Sequence, residues 1–175
     1  MAKSAFFPNI YLKSITALTP ALLRRLGVRG LILDVDNTLT THDNPEPDAQ
    51  VLRWLEVMRQ QQIEMIILSN NRPRRVRRFA EILQMDFTAN AKKPLACGFR
   101  RAAARLGLSK DKIAVVGDQI FTDILGGNLF GAKTILVRPL EPEKALFFRL
   151  KRWLERDILR AYAKCVRGKR LAHER

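Results

Sequence analysis

Three short apolar runs in this chain of 175 residues end abruptly in side chains able to do chemistry. Gly30-Leu31-Ile32-Leu33 runs into Asp34-Val35-Asp36-Asn37-Thr38, Ile63 to Leu68 stops at Ser69-Asn70-Asn71, and Ile113 to Val116 stops at Gly117-Asp118, with Asp123 a helical turn later. Four aspartates gathered at one place would repel one another unless a cation sat among them. Hard carboxylate oxygens select magnesium, which takes a few carboxylates and keeps several waters. Such an ion can cancel substrate charge and hold a phosphate oxygen. Lys93, just before Pro94, can add a point charge to the same phosphate. The Ser69 hydroxyl and nearby backbone N–H groups can donate to its oxygens. Side chains alternate along an extended segment, so Asp34 can face metal and phosphorus while Asp36, past the strand end, reaches the leaving group.

These residues lie far apart in sequence and need a scaffold that brings them together. The apolar runs, bounded by turn signals, read as strands buried on both faces. A fourth runs from Thr134 to Val137. Between them the spacing predicts helices: a short one from Ala21 to Leu26 behind Thr19-Pro20, then one from Asp48 to Gln60 with Val51, Leu52, Leu55 and Met58 inward. Further helices follow over Pro73 to Leu83, Pro94 to Leu106, which Gly107 stops, and Phe121 to Phe130. Strands alternating with helices predict an α/β fold, a parallel Rossmann-like sheet covered by helices on both faces. Open sheets of this kind bind ligands at the carboxyl ends of their strands, where all the polar groups above fall. The pattern divides the chain into a core, residues 1–143, and an appended basic stretch, 144–175, whose Lys144 to Val166 reads as one long helix.

The ordered motifs resemble those of the haloacid dehalogenase-like phosphatases: an Asp-x-Asp-x-Thr or Val strand end, a Ser or Thr after the second strand, a Lys, then an acidic pair. Asp34-Val35-Asp36-Asn37-Thr38, Ser69, Lys93 and Gly117-Asp118 with Asp123 supply all four in order. The resemblance, covering roughly Leu31 to Val137, implies that Asp34 is the nucleophile and forms an aspartyl-phosphate. It implies that Asp36 protonates the leaving alcohol and then activates water. Asp34, the Asp36 backbone carbonyl and Asp118 would hold magnesium, with Asp123 in support. Ser69, Asn70 and Lys93 would bind the phosphoryl group. Lys92 rivals Lys93, which is preferred because it adjoins the proline. Receiver domains of signalling systems share clustered acids and a Lys-Pro, but theirs comes last, whereas here Lys93-Pro94 precedes the final acidic pair.

Specificity in this family usually comes from an inserted cap. Asp34 to Ser69 is filled by a loop, a helix and a strand, and Ser69 to Lys93 by a helix and a short strand, so no cap fits. An uncovered rim suits a large substrate: a lipid head group on a membrane, a protein, or a nucleic acid end. Lys and Arg number 32 against 17 Asp and Glu, a net charge of +15, which favours an anionic partner. Arg72, Arg74, Arg75, Arg77 and Arg78 crowd one helix start. Phe147, Leu150, Leu154, Ile158 and Tyr162 give the basic tail an apolar face with Trp153 beside it, suited either to a membrane surface or to packing on the core. Phe6 to Leu12 is a second segment suited to interfacial contact or core cover. The two cysteines form no CxxC pair, and no apolar run has the length of a signal peptide or a spanning helix. A cytoplasmic protein, peripheral on the inner membrane face, is expected.

The layout is similar to the capless subclass III phosphatases, namely the bacterial YqeG family and the phosphatidylglycerophosphate phosphatases. The residues that carry this are Phe6-Phe7-Pro8, Ser69-Asn70-Asn71, Ala91-Lys92-Lys93-Pro94 and Gly117-Asp118-Gln119 with Thr122-Asp123. That resemblance implies phosphatidylglycerophosphate as the substrate. The competing expectations are the same chemistry on a phosphoprotein or nucleic acid end, and a non-catalytic RNA- or ribosome-binding module that keeps the fold. No aromatic platform lies among the arginines to stack bases, which counts against a nucleic acid.

Overall fold

The computed structural model describes residues 4–41, 46–141 and 154–166. Six strands form one parallel sheet: β1 (Ile10–Leu12), β2 (Gly30–Leu33), β3 (Glu64–Leu68), β4 (Asp86–Thr88), β5 (Ile113–Gly117) and β6 (Lys133–Val137), in the order β1-β6-β5-β2-β3-β4. β2 is central and pairs with β3 on one side and β5 on the other. The chain order reverses at β2, so the polar ends of β2, β3 and β5 lie side by side at one edge, the switch point where such sheets bind ligands.

Strand alternation sorts the core into two layers. Leu31, Leu33, Ile67, Ala114 and Val116 face α2 (Ala49–Gln60) and α3 (Pro73–Leu83), packing on Trp54, Leu55, Met58, Val76 and Phe79. Ile32, Ile66, Leu68 and Val115 face the other way, onto Phe99, Ala102 and Ala103 of α4 (Ala96–Leu106). The indole N–H of buried Trp54 donates to the Leu18 carbonyl at 2.7 Å, so the ring is core rather than platform. The first helix, α1 (Pro20–Arg25), starts at Thr19, whose hydroxyl accepts from the Leu22 N–H.

Two expected elements differ in detail. Phe121 to Phe130 is not one α-helix: Ile120–Ile124 is a π-helical turn that continues into α5 (Leu125–Phe130). Such turns recur at functional sites, and this one carries Asp123. Phe6 to Leu12, for which interfacial contact or core cover was expected, covers the core and adds a strand: Ile10–Leu12 is an edge strand on β6, and the Asn128 amide donates to the Ala5 and Phe7 carbonyls. Of the expected C-terminal helix, 144–153 lies outside the described residues. The rest, α6 (154–166), packs on the core. Its Ile158 and Leu159 pack against Ile120, Ile124 and Leu136, and Tyr162 meets Phe7 edge to face. Among the described residues, no helix is long and apolar enough to cross a membrane. Between Asp34 and Ser69 lie a loop, α2 and β3, and between Ser69 and Lys93 only α3 and β4, with no cap among the described residues.

Candidate active site

Asp34 follows directly from β2, its N–H held by the Val116 carbonyl of β5. The chain then folds back: Val35 accepts from the N–H groups of Thr38, Leu39 and Thr40, and Asn37 turns through φ +61°. That left-handed residue lies just past both aspartates and closes the turn that follows β2, while the one residue between them, Val35, leaves their side chains to diverge. Asp34 goes inward. Lys93 donates to its carboxylate at 2.6 Å and to Asp123 at the same distance. All three are buried, and carboxylate oxygens of Asp34, Asp118 and Asp123 lie within 4.8 Å of one another.

Charge explains why this cluster holds together. Three ionised carboxylates against one ammonium leave two formal negative charges in a buried space. That matches a divalent cation bound through hard oxygens, so the donor set fits magnesium, with Asp34, Asp118 and Asp123 as the carboxylates that would hold it. Without an ion, burial pushes the Asp34 carboxyl up to about 7; Lys93 opposes the rise, and Asp123 and Asp36 add to it. For Lys93, burial acts to lower the value, but Asp123 and Asp34 outweigh it and hold the ammonium above the ordinary lysine range.

Neighbouring loops hold these groups in place. The Asn70 amide clamps the Lys93 backbone, accepting its N–H at 2.7 Å and donating to its carbonyl at 3.2 Å. The Asn70 side chain thus places Lys93, using one of the two N–H donors of its amide. The buried Ser69 hydroxyl accepts the Asn71 N–H at 3.1 Å. Lys93 is the lysine turned into the cluster; Lys92 is exposed. Gly98 lets α4 approach this loop, since a Cβ there would stand 2.3 Å from the Ala91 carbonyl oxygen.

Asp123 needs similar room. A Cβ on Gly117 would lie 2.4 Å from the Asp123 carboxyl carbon. Gly117→Ala is therefore expected to push Asp123 off Lys93 and to cost about 1–3 kcal/mol of stability, the usual price of overpacking. Urea unfolding of the metal-free protein measures this; a change below about 0.5 kcal/mol would show that Asp123 moves aside without loss.

Asp36 behaves differently from the other acids. Its carboxylate turns to the rim, accepting from the Asn71 amide at 2.5 Å and the Arg75 guanidinium at 2.7 Å. It stands outside the carboxylate cluster, and a metal contact from it would come through its main-chain carbonyl. Sequence reasoning assigned no individual role to Asn71 or Arg75, although both lay within motifs it singled out. It missed Glu155 altogether: this buried carboxylate of α6 accepts the Ile120 N–H at 2.8 Å, at the start of the turn that carries Asp123. One of three acids in a basic tail, it gave little signal of this role.

Residues 90–139 match a family described as HAD-hydrolase-like. The chain is 40% identical over 161 residues to "Probable phosphatase YqeG" of Bacillus subtilis, covering 92% of this chain and 94% of that protein. It is 26% identical to "Phosphatidylglycerophosphate phosphatase 1, chloroplastic/mitochondrial" of Arabidopsis thaliana, over 86% of this chain but only 49% of that longer protein. Among solved structures, a protein of Listeria monocytogenes serotype 4b superposes with a TM-score of 0.55 at 19% identity, over 67% of this chain and 85% of that one. A hypothetical protein of Xanthomonas campestris gives 0.51 at 20% identity, over 78% and 74%. These structures share the fold. With the acidic cluster, its bridging lysine and a relative matched nearly end to end, the chain belongs to the haloacid dehalogenase-like hydrolases, in the family of the Bacillus subtilis protein YqeG.

Proposed function

We propose that this haloacid dehalogenase-type phosphatase uses magnesium and the Asp34 carboxylate to hydrolyse a membrane-borne phosphate monoester, phosphatidylglycerophosphate. The observation that carries the chemistry is the buried trio Asp34, Asp118 and Asp123 bridged by Lys93 at the carboxyl ends of β2 and β5.

In this reading an Asp34 oxygen attacks phosphorus and the ester oxygen leaves with a proton from Asp36, giving an aspartyl-phosphate and the alcohol. Asp36 then takes a proton from water as that water attacks phosphorus, releasing phosphate and restoring Asp34. Lys93, the Ser69 hydroxyl and backbone N–H groups hold the phosphoryl oxygens through both steps. When bound, the cation supplies positive charge that offsets the phosphate and the aspartates. The substrate assignment draws on the named activity of the Arabidopsis relative, on the lack of any cap element among the described residues, and on the exposed arginines of α3 beside the rim. A cytoplasmic location against the inner membrane face fits this reading.

Vesicles carrying phosphatidylglycerophosphate, assayed for phosphate release with magnesium and with chelator, test the proposal. Release only with magnesium is expected. Equal release with chelator would remove the metal from the mechanism, and preference for a 5′-phosphorylated oligonucleotide over vesicles would replace the lipid by a nucleic acid end.

Metal affinity should depend on pH. An Asp34 carboxyl titrating near 7 must lose its proton before it can bind a cation, so affinity rises with pH through that value. Magnesium binding by calorimetry is expected to be roughly tenfold weaker at pH 6 than at pH 8, with about one proton released per ion at pH 6 and almost none at pH 8. Affinity flat across that range would place the titration elsewhere.

A further inference from the structure

Arg75 lies at the uncovered rim, its side chain 45% exposed, yet its guanidinium is joined at 2.7 Å to Asp36, two residues beyond Asp34. On the reading above, Asp36 meets the leaving oxygen, so whatever that oxygen is attached to must pass Arg75 on its way out. The surroundings there are basic. Arg72, Arg74, Arg77 and Arg78 are all exposed around the start of α3, and the first turn of that helix has no acidic residue. A neutral alcohol would use none of this charge. A leaving group with its own anion would meet a planar fork of donors suited to phosphate or carboxylate.

We propose that Arg75 is a specificity-determining residue that recognises a second anionic group on the leaving alcohol, a phosphodiester or a carboxylate, within about 8 Å of the scissile oxygen, or three hydrogen-bond lengths. Arg75 thereby favours monoesters of anionic alcohols over those of neutral ones. Engaging that anion also draws the guanidinium towards the substrate, so Asp36 exchanges an arginine contact for the leaving oxygen. The inference deepens the proposed function and rests on its assignment of Asp34 and Asp36.

Three soluble substrates with magnesium separate the possibilities: glycerol 3-phosphate, whose leaving alcohol is neutral; 3-phosphoglycerate, whose leaving alcohol carries a carboxylate; and the deacylated head group of phosphatidylglycerophosphate, whose leaving alcohol carries a phosphodiester. The quantity to compare is the ratio of kcat/KM values, which does not depend on how much variant is folded. In the wild type at least one anionic substrate should exceed glycerol 3-phosphate by tenfold or more, and which one does so identifies the second anion. Arg75→Ala should bring the ratio to near one, and Arg75→Lys should keep part of it. A wild-type ratio near one, or one unchanged in Arg75→Ala, overturns the inference while leaving the phosphatase reading intact. Turnover of all three that persists in Asp34→Asn overturns that reading and the inference with it, whereas no turnover of any, with vesicle-borne phosphatidylglycerophosphate hydrolysed, overturns the inference alone.

Discussion

Asp34→Asn is expected to lower phosphatase kcat/KM by about 10⁴-fold or more, the loss typical of removing a nucleophile. The substitution is nearly isosteric, and Asp34 is buried beside Lys93 and the other two carboxylates, so no cavity opens. It removes a like charge from beside Asp123 and leaves Lys93 one ionised partner within 2.6 Å instead of two. The fold should therefore survive, with a melting temperature in chelator close to that of the wild type. Two measurements decide the matter: steady-state phosphate release, and capture of radiolabelled phosphate on protein quenched in acid. The wild type should carry label and the variant none. Activity within tenfold of the wild type would disqualify Asp34 as the attacking group, whatever its place in the cluster.

Lys93→Met should act on both stability and turnover. It preserves volume but removes the ammonium that both carboxylates contact, leaving buried charge without compensation. Breaking a buried ion pair in this way costs about 3–5 kcal/mol. The loss depends on pH in a definite direction. Between the ordinary aspartate value of 3.8 and about 7 the folded wild type holds a proton on Asp34 that the unfolded chain has released. Over that window stability falls as pH rises. Without Lys93 the Asp34 carboxyl loses its attraction to the ammonium, so the window extends upward and the deficit is largest at alkaline pH. Denaturant unfolding in chelator at pH 5 and pH 8 should show the larger penalty at pH 8, and saturating magnesium should recover part of it. With magnesium present, turnover should still fall about 10²–10³-fold, since a preorganised charge on the phosphoryl group is missing. A variant as stable as the wild type at pH 8 would mean that the aspartates relax apart without their lysine.

The sequence made the centre of the molecule legible and its periphery much less so. β2, β3, β5 and β6 were visible because a strand buried on both faces must be apolar throughout, and each ends where a polar residue begins. Asp34 and Asp118 stood out for the same reason, as charges just past such a strand, whereas Lys93 was picked out by the adjoining Pro94 and Asp123 by its place a helical turn beyond Asp118. β1 was not, since three residues with Tyr11 half exposed give too short an alternation to tell strand from surface segment. The split of the Asp123 helix into a π-turn and α5 leaves the apolar spacing almost unchanged, so periodicity could not register it. Arg75 was one arginine among five until the loop geometry set it against Asp36. The Asn70 side chain looked equally fit for a phosphate, and only the fold of residues 90–93 turns it onto the Lys93 backbone.

Glu155 has a consequence for how a damaged copy of this gene would behave. A reading frame cut short just after Glu141 would still encode every residue of the four motifs and every strand of the sheet, and a survey of motifs would score the product as whole. Yet the amide at Ile120 would lose its acceptor, and the apolar side chains of the π-turn would lose Ile158 and Leu159. The lesion would show itself as a loosened hold on Asp123, thirty-two residues upstream of the missing carboxylate (155 − 123 = 32).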